Sequence, residues 1–102
     1  MNKFLGLLSL SMKAGKLAIG EGRAEDAVRG GKASLIILST DASGNTQKKF
    51  SDMGSYRNIP VIRTVDRRAL GRTVGREFAV VMAVTEDGFS KRLLEMFDNA
   101  DN

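Results

Sequence analysis

Hydrophobic residues recur along the chain at two spacings, which predict helices alternating with short strands. In five segments the apolar side chains return every three or four positions, the spacing of a helix with one buried face. Four other segments are short apolar or β-branched runs, typical of strands. The expected helices begin after Asn2, at about Glu21, within Asp41–Thr46, after Asp66 and after Asp87, and the first four end near Gly15, Arg29, Asn58 and Gly75.

Two of the expected strands have the pattern of strands buried on both faces. Leu35–Leu38 and Phe78–Val84 are nearly continuous apolar runs, and two shorter segments, Lys16–Gly20 and Val61–Arg63, complete the set. A strand that is apolar on both sides needs a cover on each face of its sheet. The order of elements therefore predicts an α/β fold, a compact three-layer α/β/α sandwich, with residues 1–102 forming a single domain.

Two residue types that carry much of enzyme chemistry are missing, because the sequence has no cysteine and no histidine. Disulfides, thiolate metal sites, cysteine nucleophiles and the commonest general base are thereby excluded. The adjacent carboxylates Glu25-Asp26 and Glu86-Asp87 would point about 100° apart on a helix, so they do not converge on a substrate. We therefore expect no enzyme, no catalytic residue, no metal and no cofactor.

The apolar segments are too short to place the chain in a membrane. No run of residues could span a bilayer, and Met1–Met12 is too short and too interrupted by Gly6, Ser9 and Ser11 to resemble a signal peptide. We expect a cytoplasmic protein without a membrane partner.

Basic charge is concentrated in the middle of the sequence. Lys13–Arg76 contains 13 basic and 6 acidic residues, whereas Glu77–Asn102 contains 2 basic and 6 acidic residues. This asymmetry is typical of a surface that faces a polyanion. An ordinary solvated surface would also accommodate a net charge of +4.

The segment after Asp66 predicts a row of arginines. Arg68, Arg72 and Arg76 have the spacing of one helix face, where like charges repel unless an anion lies across them. Guanidinium groups suit phosphate oxygens and base edges. Alternatively, Asp66, Glu77 or other carboxylates neutralise the row, or the row docks an acidic protein partner, which would make the chain a protein-interaction adaptor.

Two polar segments add weaker indications of a phosphate site. Lys13–Lys16 and Gly20–Arg23 combine cations with glycines at a helix start, where exposed N–H groups favour phosphate. Asp41–Lys49 follows a buried strand, where α/β folds tend to place ligands. Simple turn and capping roles explain these residues equally well.

The aromatic residues argue against a stacking platform for single strands. Phe50, Phe78, Phe89 and Phe97 are assigned to inward positions, which leaves Tyr56 as the one exposed candidate. Recognition of nucleic acid through backbone shape is the expected mode.

Three blocks of sequence resemble a known family. Leu35–Lys49, Leu70–Glu77 and Val84–Phe89 are similar to the YlxQ-type family of bacterial ribosomal-protein-like chains. That family lies within the kink-turn-binding ribosomal protein superfamily, whose archaeal prototype is a protein of the large ribosomal subunit. The resemblance covers essentially the whole chain and implies a small four-stranded mixed sheet between helices. It also implies binding to sharply bent RNA built on tandem sheared G·A pairs.

The resemblance places the RNA surface on two loops, 20–26 and 64–68, with Leu70 and Gly71 holding the second loop in shape. The superfamily pattern Gly-x-Asn-Glu-x-x-Lys is altered in the first loop, where Gly22, Arg23 and Asp26 stand in place of Asn, Glu and Lys. These changes remove a base-reading side chain and put a carboxylate where a lysine would meet phosphate, which opposes a G·A-specific contact.

The expected function is non-catalytic binding of structured RNA, with ribosomal RNA among the candidate partners and no small-molecule substrate. We expect a chain that is monomeric when free. The expected RNA-binding residues are Lys13, Lys16, Gly20, Glu21, Gly22, Arg23, Asn45, Thr64, Val65, Arg67, Arg68, Leu70, Gly71 and Arg72.

Overall fold

The computed structural model describes residues 2–99, which form five α-helices and four β-strands in the expected order. The strands are short, three or four residues each, and the longest helix has 14 residues. The elements are α1 (Asn2–Lys13), β1 (Leu17–Ile19), α2 (Glu21–Arg29), β2 (Leu35–Leu38), α3 (Gly44–Arg57), β3 (Val61–Arg63), α4 (Arg67–Thr73), β4 (Val81–Val84) and α5 (Asp87–Asp98).

The four strands form one mixed sheet in the order β1-β4-β2-β3. β2 and β3 are parallel, whereas β4 is antiparallel to both of its neighbours. The carboxyl ends of β1, β2 and β3 therefore meet the beginning of β4 at one end of the sheet. We call this the Gly20 end, and the opposite end, where β1 begins, the Lys16 end.

Helices cover both faces of the sheet, as the apolar strands require. Phe4 and Leu8 of α1, Leu70 of α4 and Leu93 of α5 are buried in one core cluster. Ala24 and Val28 of α2 pack with Phe50 of α3 on the other face. The burial of each large apolar side chain contributes about 1.5–3 kcal/mol, and the expected three-layer α/β/α sandwich is confirmed.

The expected strand Phe78–Val84 is wrong at its beginning, because β4 begins only at Val81. Phe78, which was assigned to an inward position, is 56% exposed. Phe78 and Ala79 are held against α4, since the Ala79 N–H donates to the Arg67 carbonyl at 2.9 Å. The chain rejoins the sheet at Val80, whose carbonyl accepts from the Ser39 N–H. Apolar composition alone does not distinguish these two environments.

Two expected helix caps are also shifted. Glu86, and not Asp87, caps α5, because its carboxylate accepts hydrogen bonds from the N–H groups of Gly88 and Phe89. Asn2 is the first residue of α1 and does not precede it. The Asp66 cap is confirmed, with its carboxylate 2.9 Å from the Ala69 nitrogen.

None of the helices in residues 2–99 combines the length and the apolar character needed to cross a bilayer.

Gly71 brings α4 into direct contact with the backbone that precedes β4. A methyl group at Gly71 would lie 2.7 Å from the nitrogen and carbonyl carbon of Phe78, and closer still to its Cα. A side chain there would force helix and segment apart. The resemblance has Gly71 hold the loop before α4 in shape; in the structure its close contact is with the segment after the helix.

We predict that Gly71→Ala destabilises the fold by about 2 kcal/mol, because overpacking at a backbone contact outweighs the gain in helix propensity. The matched control is Gly6→Ala in α1, where a methyl group meets nothing within 4 Å. That variant should be more stable than the original chain by about 0.5–1 kcal/mol. Urea unfolding of both variants measures the difference, and equal stability of the two would contradict the role of Gly71.

Candidate functional site

A cleft of about 450 Å³ opens at the Gly20 end of the sheet. It lies between the amino ends of α2 and α3 and the segment that joins α4 to β4. Its lining residues are Ile19, Gly20, Glu21, Ser43, Thr46, Arg67, Arg76, Phe78, Ala79, Val80 and Val81.

Gly20 forms the entry to α2 in a conformation that few other residues adopt. Its φ is +105°, its N–H donates to the Val81 carbonyl at 2.9 Å, and its carbonyl accepts from the Ala24 N–H. A glycine is required here by backbone conformation, since a methyl group would meet nothing within 4 Å. Because Gly20 has no side chain, the first turn of α2 receives no side-chain cap from it, and within residues 2–99 its N–H groups remain available to a ligand.

The second wall of the cleft is the capped beginning of α3. The Ser43 hydroxyl accepts from the Thr46 N–H at 3.2 Å. The Thr46 hydroxyl in turn donates to a Glu21 carboxylate oxygen at 3.5 Å, which links α3 to α2. Asn45 is exposed in the first turn of the same helix, beside the cleft.

Arg67 is held at the cleft by Asp41. Its backbone N–H and its Nε donate to the Asp41 carboxylate at 3.1 and 3.2 Å, and its Nη2 donates to the Asp41 carbonyl at 2.8 Å. The Ser39 hydroxyl, which lies beside the carboxylate without a full hydrogen-bond geometry, and then Arg67 lower the pKa of Asp41 below its ordinary value of 3.8. The guanidinium is thus fixed in position and already shares its charge with a carboxylate.

The predicted row of three arginines is wrong in its third member. α4 ends at Thr73, and the chain turns at Gly75, whose φ is +74°. Arg76 consequently leaves the helix face and lines the cleft. Arg68 and Arg72 remain exposed, one turn apart on α4.

The expectation that carboxylates neutralise these arginines finds no support in residues 2–99, where Arg68, Arg72 and Arg76 form no ion pair. Arg76 is therefore a cation at the cleft without a carboxylate partner in the described chain. It stands beside the exposed ring of Phe78 on the same segment, so the cleft offers an available charge next to an available aromatic face.

Two expected contacts lie away from the cleft. Lys13 ends α1 and Lys16 precedes β1, where the Lys16 carbonyl accepts from the Thr85 N–H. They belong to the Lys16 end, roughly 13 Å from Gly20 along an extended strand. The structure therefore does not bring these lysines together with the other candidates.

Thr64 and Val65 lie beneath the cleft and do not line it. The Thr64 N–H donates to the Leu38 carbonyl, and the Val65 carbonyl accepts from the Thr40 N–H. Their backbones continue the pairing of β2 with β3 and so set the position of Arg67. Leu70 is fully buried in the core beneath α4.

The three residues that depart from the superfamily pattern lie in the first turns of α2, and their side-chain charges are not paired in the part of the chain that the structure describes. Gly22, Arg23 and Asp26 are exposed, and neither Arg23 nor Asp26 forms an ion pair in residues 2–99. Glu25, by contrast, binds Lys49 and Arg29 at 2.7 Å each. The hydrogen bonds from Lys49 and then Arg29 lower its pKa, so this carboxylate braces α2 against α3.

Several lining residues had no sequence signal for a site. Phe78, Ala79 and Val80 resemble the beginning of a strand. Ser43 and Thr46 had the weak signal of the Asp41–Lys49 segment, which capping explained equally well. The isolated Gly75 after α4 was the one indication that the chain turns there.

Residues 2–94 match the model of the Ribosomal protein L7Ae/L30e/S12e/Gadd45 family. The chain belongs to this family. The family resemblance drawn from the three sequence blocks is thereby confirmed, and the matched residues include every segment that lines the cleft.

Similar proteins come from bacteria and archaea. The RNA-binding protein YlxQ of Bacillus subtilis is 39% identical over 92 residues, which cover 90% of this chain and 92% of that protein. The large ribosomal subunit protein eL30 of Methanoregula boonei is 29% identical over 90 residues, which cover 85% of this chain and 89% of that protein. A Bacillus halodurans protein of unknown function has a solved structure that is similar to this one, with a TM-score of 0.92 and 40% sequence identity. The match covers 94% of this chain and 97% of that protein.

We predict that Asp41→Asn destabilises the chain at pH 7 but not in acid. Because the folded-state pKa of Asp41 lies below 3.8, its ionised form stabilises the fold at neutral pH, and this contribution is lost as the pH falls through the folded value. Urea midpoints of the original chain and the variant should differ at pH 7 and should approach each other as the pH is lowered below 3.8 and through the folded-state pKa.

The matched control is Asp26→Asn, whose carboxylate has no ion-pair partner in the described residues. It should leave the midpoint at pH 7 unchanged. A difference for Asp41→Asn that persists undiminished in acid would show that the ion pair with Arg67 is not its cause.

Proposed function

We propose that this chain is a non-catalytic RNA-binding protein that holds sharply bent, kink-turn-like RNA in the cleft at the Gly20 end. The observation that carries the proposal is the meeting of an uncapped helix start, an unpaired arginine and an exposed aromatic ring in one cleft. These three groups match the phosphates and unstacked bases of a bent RNA.

Each wall of the cleft has a separate part in this proposal. The N–H groups at the start of α2 donate to a phosphate, and the close approach of the RNA backbone is allowed by Gly20 and Gly22. Arg76 contacts a neighbouring phosphate. The ring of Phe78, 56% exposed, packs against a base that the bend has unstacked.

The names of similar proteins support RNA as the partner and the ribosome as its place of action. YlxQ is named as an RNA-binding protein, and eL30 as a protein of the large ribosomal subunit. We infer that this chain associates with ribosomal RNA in the cytoplasm and that residues 1–102 act as a single RNA-binding domain. Arg68 and Arg72, exposed beside the cleft segment, extend the basic surface along α4.

The altered residues of α2 set a limit on base specificity in this proposal. Gly22 has no side chain with which to read a base edge, and Asp26 brings a negative charge to the surface that meets phosphate. Affinity then depends on phosphate contacts and on the bent shape of the RNA more than on the identity of the G·A pairs.

We predict that Arg76→Ala weakens binding to a kink-turn RNA. In a plot of the logarithm of the association constant against the logarithm of salt concentration, the magnitude of the slope should fall by about one. For each phosphate contact that is lost, binding releases about one counterion fewer from the RNA. Fluorescence anisotropy over a salt series measures this slope. The control is Lys13→Ala with Lys16→Ala, since these lysines belong to the Lys16 end and should leave the slope unchanged.

A second RNA, in which Watson–Crick pairs replace the G·A pairs, tests shape recognition and should bind more weakly than the bent RNA. Equal binding of both RNAs would reject the kink-turn part of the proposal. Binding that does not depend on salt would reject RNA binding altogether. A partner that survives nuclease digestion in a pull-down would instead favour an acidic protein.

We also predict that Asp26→Lys steepens the salt dependence by about one and tightens RNA binding, because it replaces a repulsive carboxylate with a phosphate contact. Asp26→Asn, which removes the charge without adding a cation, should give an intermediate affinity. Unchanged binding of both variants would place α2 outside the interface.

A further inference from the structure

A second exposed aromatic residue lies on α3, well away from the cleft. Tyr56 is 86% exposed, more than any other large hydrophobic side chain in residues 2–99. It borders a groove of about 290 Å³ between the carboxyl-terminal parts of α2 and α3. The residues that line this groove are Arg29, Asp52, Met53, Tyr56 and Arg57.

The groove is positively charged despite its one carboxylate. Asp52 is neutralised by Lys48, 2.9 Å away, and Arg57 has no ion-pair partner in the described residues. Arg29 is bound to Glu25, but its side chain is still 65% exposed. The groove and its ion-pair partners carry four cations, Arg29, Lys48, Lys49 and Arg57, against two carboxylates, Glu25 and Asp52.

We propose that this groove is a second RNA-binding site, which holds a single-stranded segment by stacking a base on Tyr56. The half-buried Met53 supplies an apolar neighbour for the base, while Arg29 and Arg57 contact the flanking phosphates. An exposed aromatic ring between cations is the combination that single-stranded nucleic acids require. The sequence had indicated Tyr56 as an exposed ring, but not the cations around it.

The groove is separate from the cleft. Tyr56 lies ten residues after Thr46 on α3, about 15 Å along the helix axis. Both sites can therefore be occupied at once, so that a bent RNA in the cleft could present a single-stranded extension to Tyr56. The second site does not depend on the kink-turn proposal, because a strand without secondary structure is sufficient to occupy it.

The test is anisotropy of a labelled oligouridylate of about 12 nucleotides at low salt, a length within the range of single-strand sites. Tyr56→Ala and Tyr56→Leu should each weaken binding about tenfold without changing the salt slope, because both remove a ring and no charge. Tyr56→Phe should bind within about twofold of the original chain, since it keeps the stacking face.

Charge at the groove is tested in the same assay. Arg57→Ala should flatten the salt slope by about 0.7, the value for one phosphate of a single strand. Lys91→Ala removes an exposed cation from α5, on the other face of the sheet, and serves as the control that should leave oligouridylate binding unchanged. Unfolding midpoints equal to that of the original chain confirm that each variant is folded.

The proposal is overturned if the original chain does not bind the strand, or if it binds as well after Tyr56→Ala and Tyr56→Leu. It is also overturned if a kink-turn RNA without any single-stranded extension displaces the strand competitively, since both would then occupy the cleft. Tyr56-dependent binding of the strand by a chain that ignores the kink-turn RNA would reject the proposed cleft function alone.

Discussion

The close contact between Gly71 and the backbone of Phe78 is the constraint on which the cleft depends. It lets α4 approach the chain ahead of β4, and the hydrogen bond from Ala79 to Arg67 holds the two together. The same contact turns Phe78 outward and keeps Arg76 at the rim. The absence of a side chain at Gly71 thus sets the positions of the Phe78 ring and of Arg76, several residues away.

The two arginines of the cleft differ in their freedom. Arg67 is bound to both the side chain and the carbonyl of Asp41, whereas Arg76 has no ion-pair partner in residues 2–99. A tethered guanidinium contributes a fixed field, and an untethered one can follow a ligand as it binds. Glu25 has a structural role, because its ion pair with Lys49 joins α2 to α3, whereas its ion pair with Arg29 lies within α2.

The fold was largely predictable from the sequence, and the site only in part. Apolar spacing located all five helices and four strands, because burial dictates that spacing. It failed at Phe78, where an apolar run leaves the sheet to pack on α4, a tertiary contact that no local pattern encodes. Lys13 and Lys16 are close to Gly20 in sequence, yet β1 lies between them and Gly20, so the lysines and the glycine are at opposite ends of the sheet. Arg76 was identified for the wrong reason, since helical spacing was extended past the turn at Gly75.

The central position of β4 has a consequence for the synthesis of the protein. β4 is the last strand within residues 2–99, yet it lies between β1 and β2, and the Val81 carbonyl accepts from the Gly20 N–H at the cleft. A nascent chain that ends before this strand has neither a joined sheet nor a complete cleft. At translation rates of about 5–20 residues per second, the preceding residues are therefore made over several seconds before the strand that completes the cleft. The cleft is complete only once β4 has been made and has paired with β1 and β2.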